Sequence, residues 1–186
     1  MSDTELGLTL LALARAAIGE RLELPARPGA LDPLHARLSE PSATFVTLTQ
    51  GGRLRGCIGS LDAYRPLAAA VRANAQAAAF RDPRFSPLSA AEFALTPVDV
   101  SLLTPPEPIA CRDEAGLLAQ LRPGTDGLIL HYGRCRGTFL PQVWDSLPEP
   151  QRFVGELKRK AGLPADFWHQ DLRVARSEVV KWAETS

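Results

Sequence analysis

The side chains of this 186-residue chain whose spacing could do chemistry are a thiol, two guanidinium groups and two carboxylates. Cys57 lies in Leu54-Arg55-Gly56-Cys57-Ile58-Gly59-Ser60, flanked by glycines and two residues after an arginine. A cysteine attacks only as the thiolate, and a neighbouring cation favours that form. Arg55 is placed to do so. Gly56 and Gly59 would let a ligand or another backbone approach closely. The competing reading is a small buried strand residue, because free cysteine is among the most buried residue types. Asp82 and Arg84 stand in Asp82-Pro83-Arg84-Phe85-Ser86-Pro87, where two prolines fix the backbone around a charged pair. Such a pair is commonly a structural bidentate contact. The sharper alternative is that Arg84 or Arg55 binds a carboxylate or phosphate. Glu107, held in Pro105-Pro106-Glu107-Pro108, is either a carboxylate presented on a rigid strip or a solvated turn residue.

Other chemistries find less support. A thiol hydrolase needs a base, and only His35, His131 and His169 are available. His35 lies in a proline-rich connector, His131 alternates along a strand, and His169 sits among aromatic residues, so none marks a Cys–His dyad. No Cys/His set has zinc spacing. There is no phosphate-binding glycine loop or dinucleotide fingerprint, and no cofactor is expected. Twenty-one basic and 21 acidic side chains cancel, so no global field recruits nucleic acid or an anionic membrane. Three cysteines without framework spacing fit a reducing compartment. With no apolar run long enough to span a bilayer, the expectation is a soluble cytoplasmic protein.

The elements that must position these groups follow from periodicity. Thr4 to Leu22 reads as an amphipathic helix through Leu6, Leu10, Leu13 and Ala17. Pro25, Pro28, Gly29 and Pro33 form an irregular connector, and residues 35 to 40 a single helical turn before Pro41. Thr44 to Thr49 and Leu54 to Ile58 form a hairpin across Gly51-Gly52. A three-residue loop, Gly51 to Arg53, groups Val46, Leu48, Leu54 and Ile58 on one face and Thr47, Thr49, Arg55 and Cys57 on the other. A two-residue loop would instead set Val46 and Leu48 beside Arg55 and Cys57. The first is preferred because it segregates apolar from polar side chains. Pro66 to Phe80 is an alanine-rich helix with proline at its first position. Ser89 and Glu92 form a capping box, and Val98 to Leu103 is a strand. Asp113 to Leu121 is a short helix. Leu128 to Tyr132 and Arg136 to Leu140 make a second hairpin across Gly133-Arg134. Pro141 to Leu147 and Pro150 to Ala161 are helices, the latter stopped by Gly162. Leu172 to Trp182 reads as a last strand, with a helix over Glu178 to Trp182 as the alternative. No internal repeat is evident. Hairpins mixed with helices, without βαβ alternation, indicate an α+β fold of antiparallel sheet flanked by helices.

Leu54 to Gly59 resembles the signature hexapeptide of the AMMECR domain family. Further stretches agree in order and spacing: Asn74 to Phe80 with Asp82-Pro83-Arg84-Phe85; Val100 to Thr104 with Glu107-Pro108; Asp126-Gly127-Leu128; Arg136 to Trp144; and Lys158, Ala161, Gly162 and Leu163. The resemblance covers nearly the whole chain, and the form it is most similar to is AmmeMemoRadiSam system protein A. It implies one AMMECR-type domain over residues 1–186, built as two unequal lobes with a cleft between them. It also implies functional neighbours, a Memo-like protein and a radical S-adenosylmethionine protein, together with an unknown small-molecule or protein ligand. The family pattern maps onto Arg55, Gly56, Cys57, Gly59, Asp82, Arg84, Glu107 and Thr138.

Two hypotheses follow. In the first, Cys57 is the nucleophile or acid/base of an enzyme or ligand-binding component. Arg55 or Arg84 then holds an anionic group, Asp82 or Glu107 orients them, and Gly56, Gly59 and Thr138 line the site. In the second, the motif is a structural hairpin of an adaptor module.

Overall fold

The computed structural model describes residues 3–25 and 36–184. The chain divides into two compact units, one running to Leu103 and resuming at Val180, the other covering Thr104–Val179.

In the first unit, helix α1 (Asp3–Arg21) buries Leu6, Leu10, Ala14, Ala17 and Ile18. A 3-10 turn (Ala36–Ser39) precedes the hairpin of β1 (Thr44–Gln50) and β2 (Arg53–Gly59). Helix α2 (Leu67–Phe80) follows, with Pro66 one position before the first helical residue. The short helix α3 (Ala90–Phe93) opens on the expected Ser89–Glu92 capping box. Strand β3 (Val98–Leu103) has the expected bounds and buries Val98, Val100 and Leu102. The sheet is completed by strand β8 (Val179–Ala183) and has the order β2-β1-β3-β8, which leaves β2 at an edge. Pro28, Gly29, Pro33 and His35 of the expected connector lie outside the described residues.

In the second unit, β4 is only Glu107–Pro108, so the proline strip is an edge strand, where a missing amide donor is tolerated. Helix α4 (Glu114–Leu118) is capped by Asp113. Strands β5 (Gly127–Tyr132) and β6 (Cys135–Phe139) form the expected second hairpin. The helix expected over Pro141 to Leu147 is a 3-10 helix, Pro141–Asp145. Helix α5 (Pro150–Lys160) ends at Gly162, whose φ of +87° suits glycine. Strand β7 (Arg173–Ser177) completes a sheet of order β4-β7-β5-β6. The core gathers Leu117, Leu128, Leu130, Phe153, Val154 and Leu157 around Trp144, which stacks on Phe153 at 3.8 Å.

The structure is α+β, as expected, and it corrects the last strand and the first hairpin. The last segment is two strands in two different sheets, β7 and β8 (Val179–Ala183). The chain breaks at Glu178, whose backbone N–H donates to Thr104 Oγ1 at 2.8 Å while its carbonyl accepts from the Thr104 N–H at 2.9 Å. The first hairpin turns on two residues, Gly51 and Gly52, with φ of +55° and +73°. An irregularity on β2 supplies the extra residue: Thr49 pairs with Leu54 and Leu48 with Gly56, leaving Arg55 unpaired as a bulge. Leu54 therefore shares a face with Thr49, and it is exposed. Val46 with Ile58 and Thr47 with Cys57 pair as the preferred register had them.

The two units also repeat one arrangement of elements. Hairpin, helix and returning antiparallel strand recur as β1-β2-α2-β3 and β5-β6-α5-β7. The sheet orders correspond, β2-β1-β3-β8 with β6-β5-β7-β4. Each second strand carries Arg-Gly followed by Cys57 or Thr138, with Gly56 opposite Leu48 and Gly137 opposite Leu130. Three matching residues are too little similarity to show as a repeat in the sequence.

Candidate functional site: the capped edge at Cys57

Strand β2 is an edge strand, so alternate N–H and C=O groups point away from β1. At Cys57 both outward groups are met by side chains from the turn after α2. The Cys57 N–H donates to Asp82 Oδ2 at 2.9 Å, and Arg84 Nη2 donates to the Cys57 carbonyl at 3.2 Å. Asp82 and Arg84 thus do for one residue what a neighbouring strand would do. Their own bonds hold the cap rigid. Arg84 Nε reaches Asp82 Oδ1 at 2.9 Å, Arg84 Nη2 reaches Oδ2 at 2.7 Å, and the Arg84 backbone N–H reaches Oδ1 at 3.1 Å.

Asp82 is only 4% exposed. The Arg84 guanidinium, and after it the Cys57 and Arg84 backbone N–H groups, overcome the burial and hold its carboxyl well below the usual range. Arg84 is pushed above its ordinary value, chiefly by its hydrogen bond to Asp82, with burial opposing.

The expected site residues now separate. Cys57 is a free, half-buried thiol. Its amide and carbonyl are taken by the cap, so Thr47 and Cys57 form a non-hydrogen-bonded pair, in which side chains stand closest. The Thr47 hydroxyl donates to Sγ at 3.3 Å. The sequence places Thr47 on the face of Cys57, and the structure adds the bond from its hydroxyl to the sulfur.

Arg84, and not Arg55, is the cation held at Cys57, through its contact with the Cys57 carbonyl. Arg55, 8% exposed, directs Nη2 to the Ser86 carbonyl at 3.0 Å and to Glu92 Oε1 at 3.3 Å. Glu92, already bonded to the Ser89 N–H and hydroxyl, is lowered below its ordinary pKa chiefly by those bonds, with Arg55 adding. Arg55 Nη1 is buried with no partner. The Phe85 ring lies 5.8 Å from the Arg55 guanidinium carbon and 5.5 Å from that of Arg84, within cation–π range of both.

The two glycines are occupied by the protein's own backbone and rings. A Cβ on Gly56 would stand 2.2 Å from the Ala78 carbonyl of α2, and one on Gly59 2.3 Å from the Phe45 ring. Glu107 and Thr138 belong to the second unit. Glu107 lies opposite Arg176 on the β4–β7 edge. Thr138 is buried, and its carbonyl accepts from Lys160 Nζ at 2.9 Å. His131 and His169 are also in the second unit, and His169 faces Asp171 at 3.6 Å. Among the described residues no group of three His, Cys, Asp or Glu side chains could hold a metal.

Several motif positions of the second unit are structural. Asp126, fully buried, is bonded by Arg122 Nε at 3.0 Å, and its carbonyl accepts from Trp144 Nε1 at 2.7 Å. Lys158, also fully buried, pairs with Glu114 at 2.9 Å. None of the described helices is long and apolar enough to cross a membrane.

Comparison with known proteins accords with the motifs. A protein of Methanothermobacter thermautotrophicus is 40% identical over 91% of this chain and 90% of its own. One of Thermofilum pendens is 37% identical over 99% and 92%. The crystal structure of an uncharacterized protein from Pyrococcus horikoshii superposes with a TM-score of 0.77 at 34% identity, covering 99% of this chain and 93% of that one. The AMMECR1 family model matches residues 11–182, and the chain belongs to that family.

Proposed function

We propose that the Cys57 edge is an anion-recognising thiol site, the working part of an enzyme or ligand-binding component. One observation carries this reading: Arg84 is fixed against Cys57 yet remains 53% exposed along its side chain. Its Nε and Nη2 are committed to Asp82 and the Cys57 carbonyl, while Nη1 enters none of these bonds and is free to receive a carboxylate or phosphate oxygen. Cys57 then lies beside the bound group, its sulfur oriented by the Thr47 hydroxyl. Arg55, anchored on Ser86 and Glu92, adds positive charge behind the Phe85 ring. In this reading Asp82 is a positioning residue, because it acts through Arg84 and the Cys57 amide. A Memo-like protein and a radical S-adenosylmethionine protein remain the proposed functional neighbours, supported by the family resemblance alone.

The test is protection of the thiol. In protein carrying Cys111→Ala and Cys135→Ala, phosphate or a small carboxylate is expected to slow alkylation of Cys57 by neutral iodoacetamide. Arg84→Gln is expected to abolish that protection. Equal protection in both proteins would remove Arg84 from the site.

A further inference from the structure

The second unit holds a charged pair that its own register sets up and its own contacts do not complete. Glu107 stands directly opposite Arg176 across β4 and β7, a position in which opposite charges ordinarily meet. No ion pair joins them among the described residues. Arg176 instead sends Nη1 to the Gln120 carbonyl at 3.3 Å and to Asp126 Oδ2 at 3.5 Å, both long contacts, and Asp126 is already held by Arg122. Glu178 is also satisfied, by Arg122 at 2.8 Å. Glu107 has no such partner: no hydrogen bond or ion pair to its carboxylate occurs among the described residues. Pro105, Pro106 and Pro108 surround it and fix its backbone. The backbone that carries the carboxylate is thus ordered before any ligand binds.

Glu107 and Arg176 line one cavity of about 170 Å³ together with Thr104, Ser177 and Glu178. A water molecule's share of liquid volume is about 30 Å³, so the space suits a molecule of a few non-hydrogen atoms. Its wall offers one carboxylate without a protein partner among the described residues and, facing it in register, one guanidinium with donors to spare. We propose that this cavity binds a small zwitterion of amino-acid type, its ammonium on Glu107 and its carboxylate on Arg176. The cavity lies wholly within the second unit, and the proposal is independent of the Cys57 reading.

The experiment is a ¹H–¹⁵N titration of the full chain with L-alanine, with ethylamine and propionate as half-ligands. L-alanine is expected to shift the amide signals of Thr104, Ser177 and Glu178 and to bind at least about tenfold more tightly than either half-ligand. Glu107→Gln, at an exposed position that the fold does not use, and Arg176→Lys, which keeps the charge but not the fork, are each expected to weaken it about tenfold. The proposal is overturned if millimolar L-alanine leaves those signals in place. Equal affinity for a half-ligand, or undiminished binding by Glu107→Gln, overturns it as well.

Discussion

The two hairpin–helix–strand units solve the same packing problem and differ in what they add to it. In both, a glycine on the second hairpin strand lies under the backbone of the following helix, Gly56 beneath Ala78 and Gly137 beneath Leu157. In both, a charged side chain from the helix end or the turn after it reaches the exposed edge of that strand. In the second unit this is one contact, Lys160 Nζ to the Thr138 carbonyl at 2.9 Å. In the first it is a buried carboxylate and a half-exposed guanidinium that close both outward groups of Cys57. The shared part, glycine and capped edge, is scaffold. The part peculiar to the first unit is the thiol, the Arg55 bulge and the Asp82–Arg84 pair, and it is there that a function is to be sought.

Substitution at the two glycines gives the largest expected contrast. Gly56→Ala drives a methyl to 2.2 Å from a helix carbonyl that cannot yield, and should cost about 3 kcal/mol by urea denaturation. At Gly137 the nearest atom is 2.9 Å away, and Gly137→Ala should cost about half as much. Equal costs would mean the two helix seats are interchangeable.

Asp82→Asn comes next, at about 2 kcal/mol, because it weakens charge-assisted bonds to a buried group. The pH dependence has a definite sign. The folded-state pKa of Asp82 lies below the ordinary 3.8, so its contribution is fully present above that value and is lost as the pH falls through the folded-state pKa. The stability gap between wild type and Asp82→Asn should therefore be constant near neutrality and close on acidification below about pH 4. Lys160→Met, which breaks the corresponding cap of the second unit, should cost at most about 1 kcal/mol in the same denaturation assay. A loss as large as that of Asp82→Asn would make the two caps equivalent.

Much of this scaffold is legible in the residues. Alternation places β3, β5 and β6, the Ser89–Glu92 capping box opens α3, and Gly162 marks the end of α5. What escapes is whatever depends on a contact rather than a period. The bulge at Arg55 leaves no trace in the hydrophobic pattern, because an unpaired residue changes register without changing composition. The break at Glu178 is set by Thr104, distant in sequence. Likewise, the edge cap requires the turn at Asp82 to return to a strand 25 residues earlier. Asp82 and Arg84 were identifiable as a pair, but their shared target, the Cys57 backbone, was not. For Glu107, the prolines show that the carboxylate is held, and only the sheet register shows that it stands opposite Arg176.

The role proposed for Arg84 is to make the Cys57 thiol selective for anions. The most direct measurement compares alkylation of Cys57 by iodoacetate and by iodoacetamide, in wild type and Arg84→Gln, with Cys111 and Cys135 replaced by alanine in both. The iodoacetate-to-iodoacetamide rate ratio of wild type is expected to exceed that of a free thiol and to fall several-fold in Arg84→Gln. The same ratio in both proteins would contradict it.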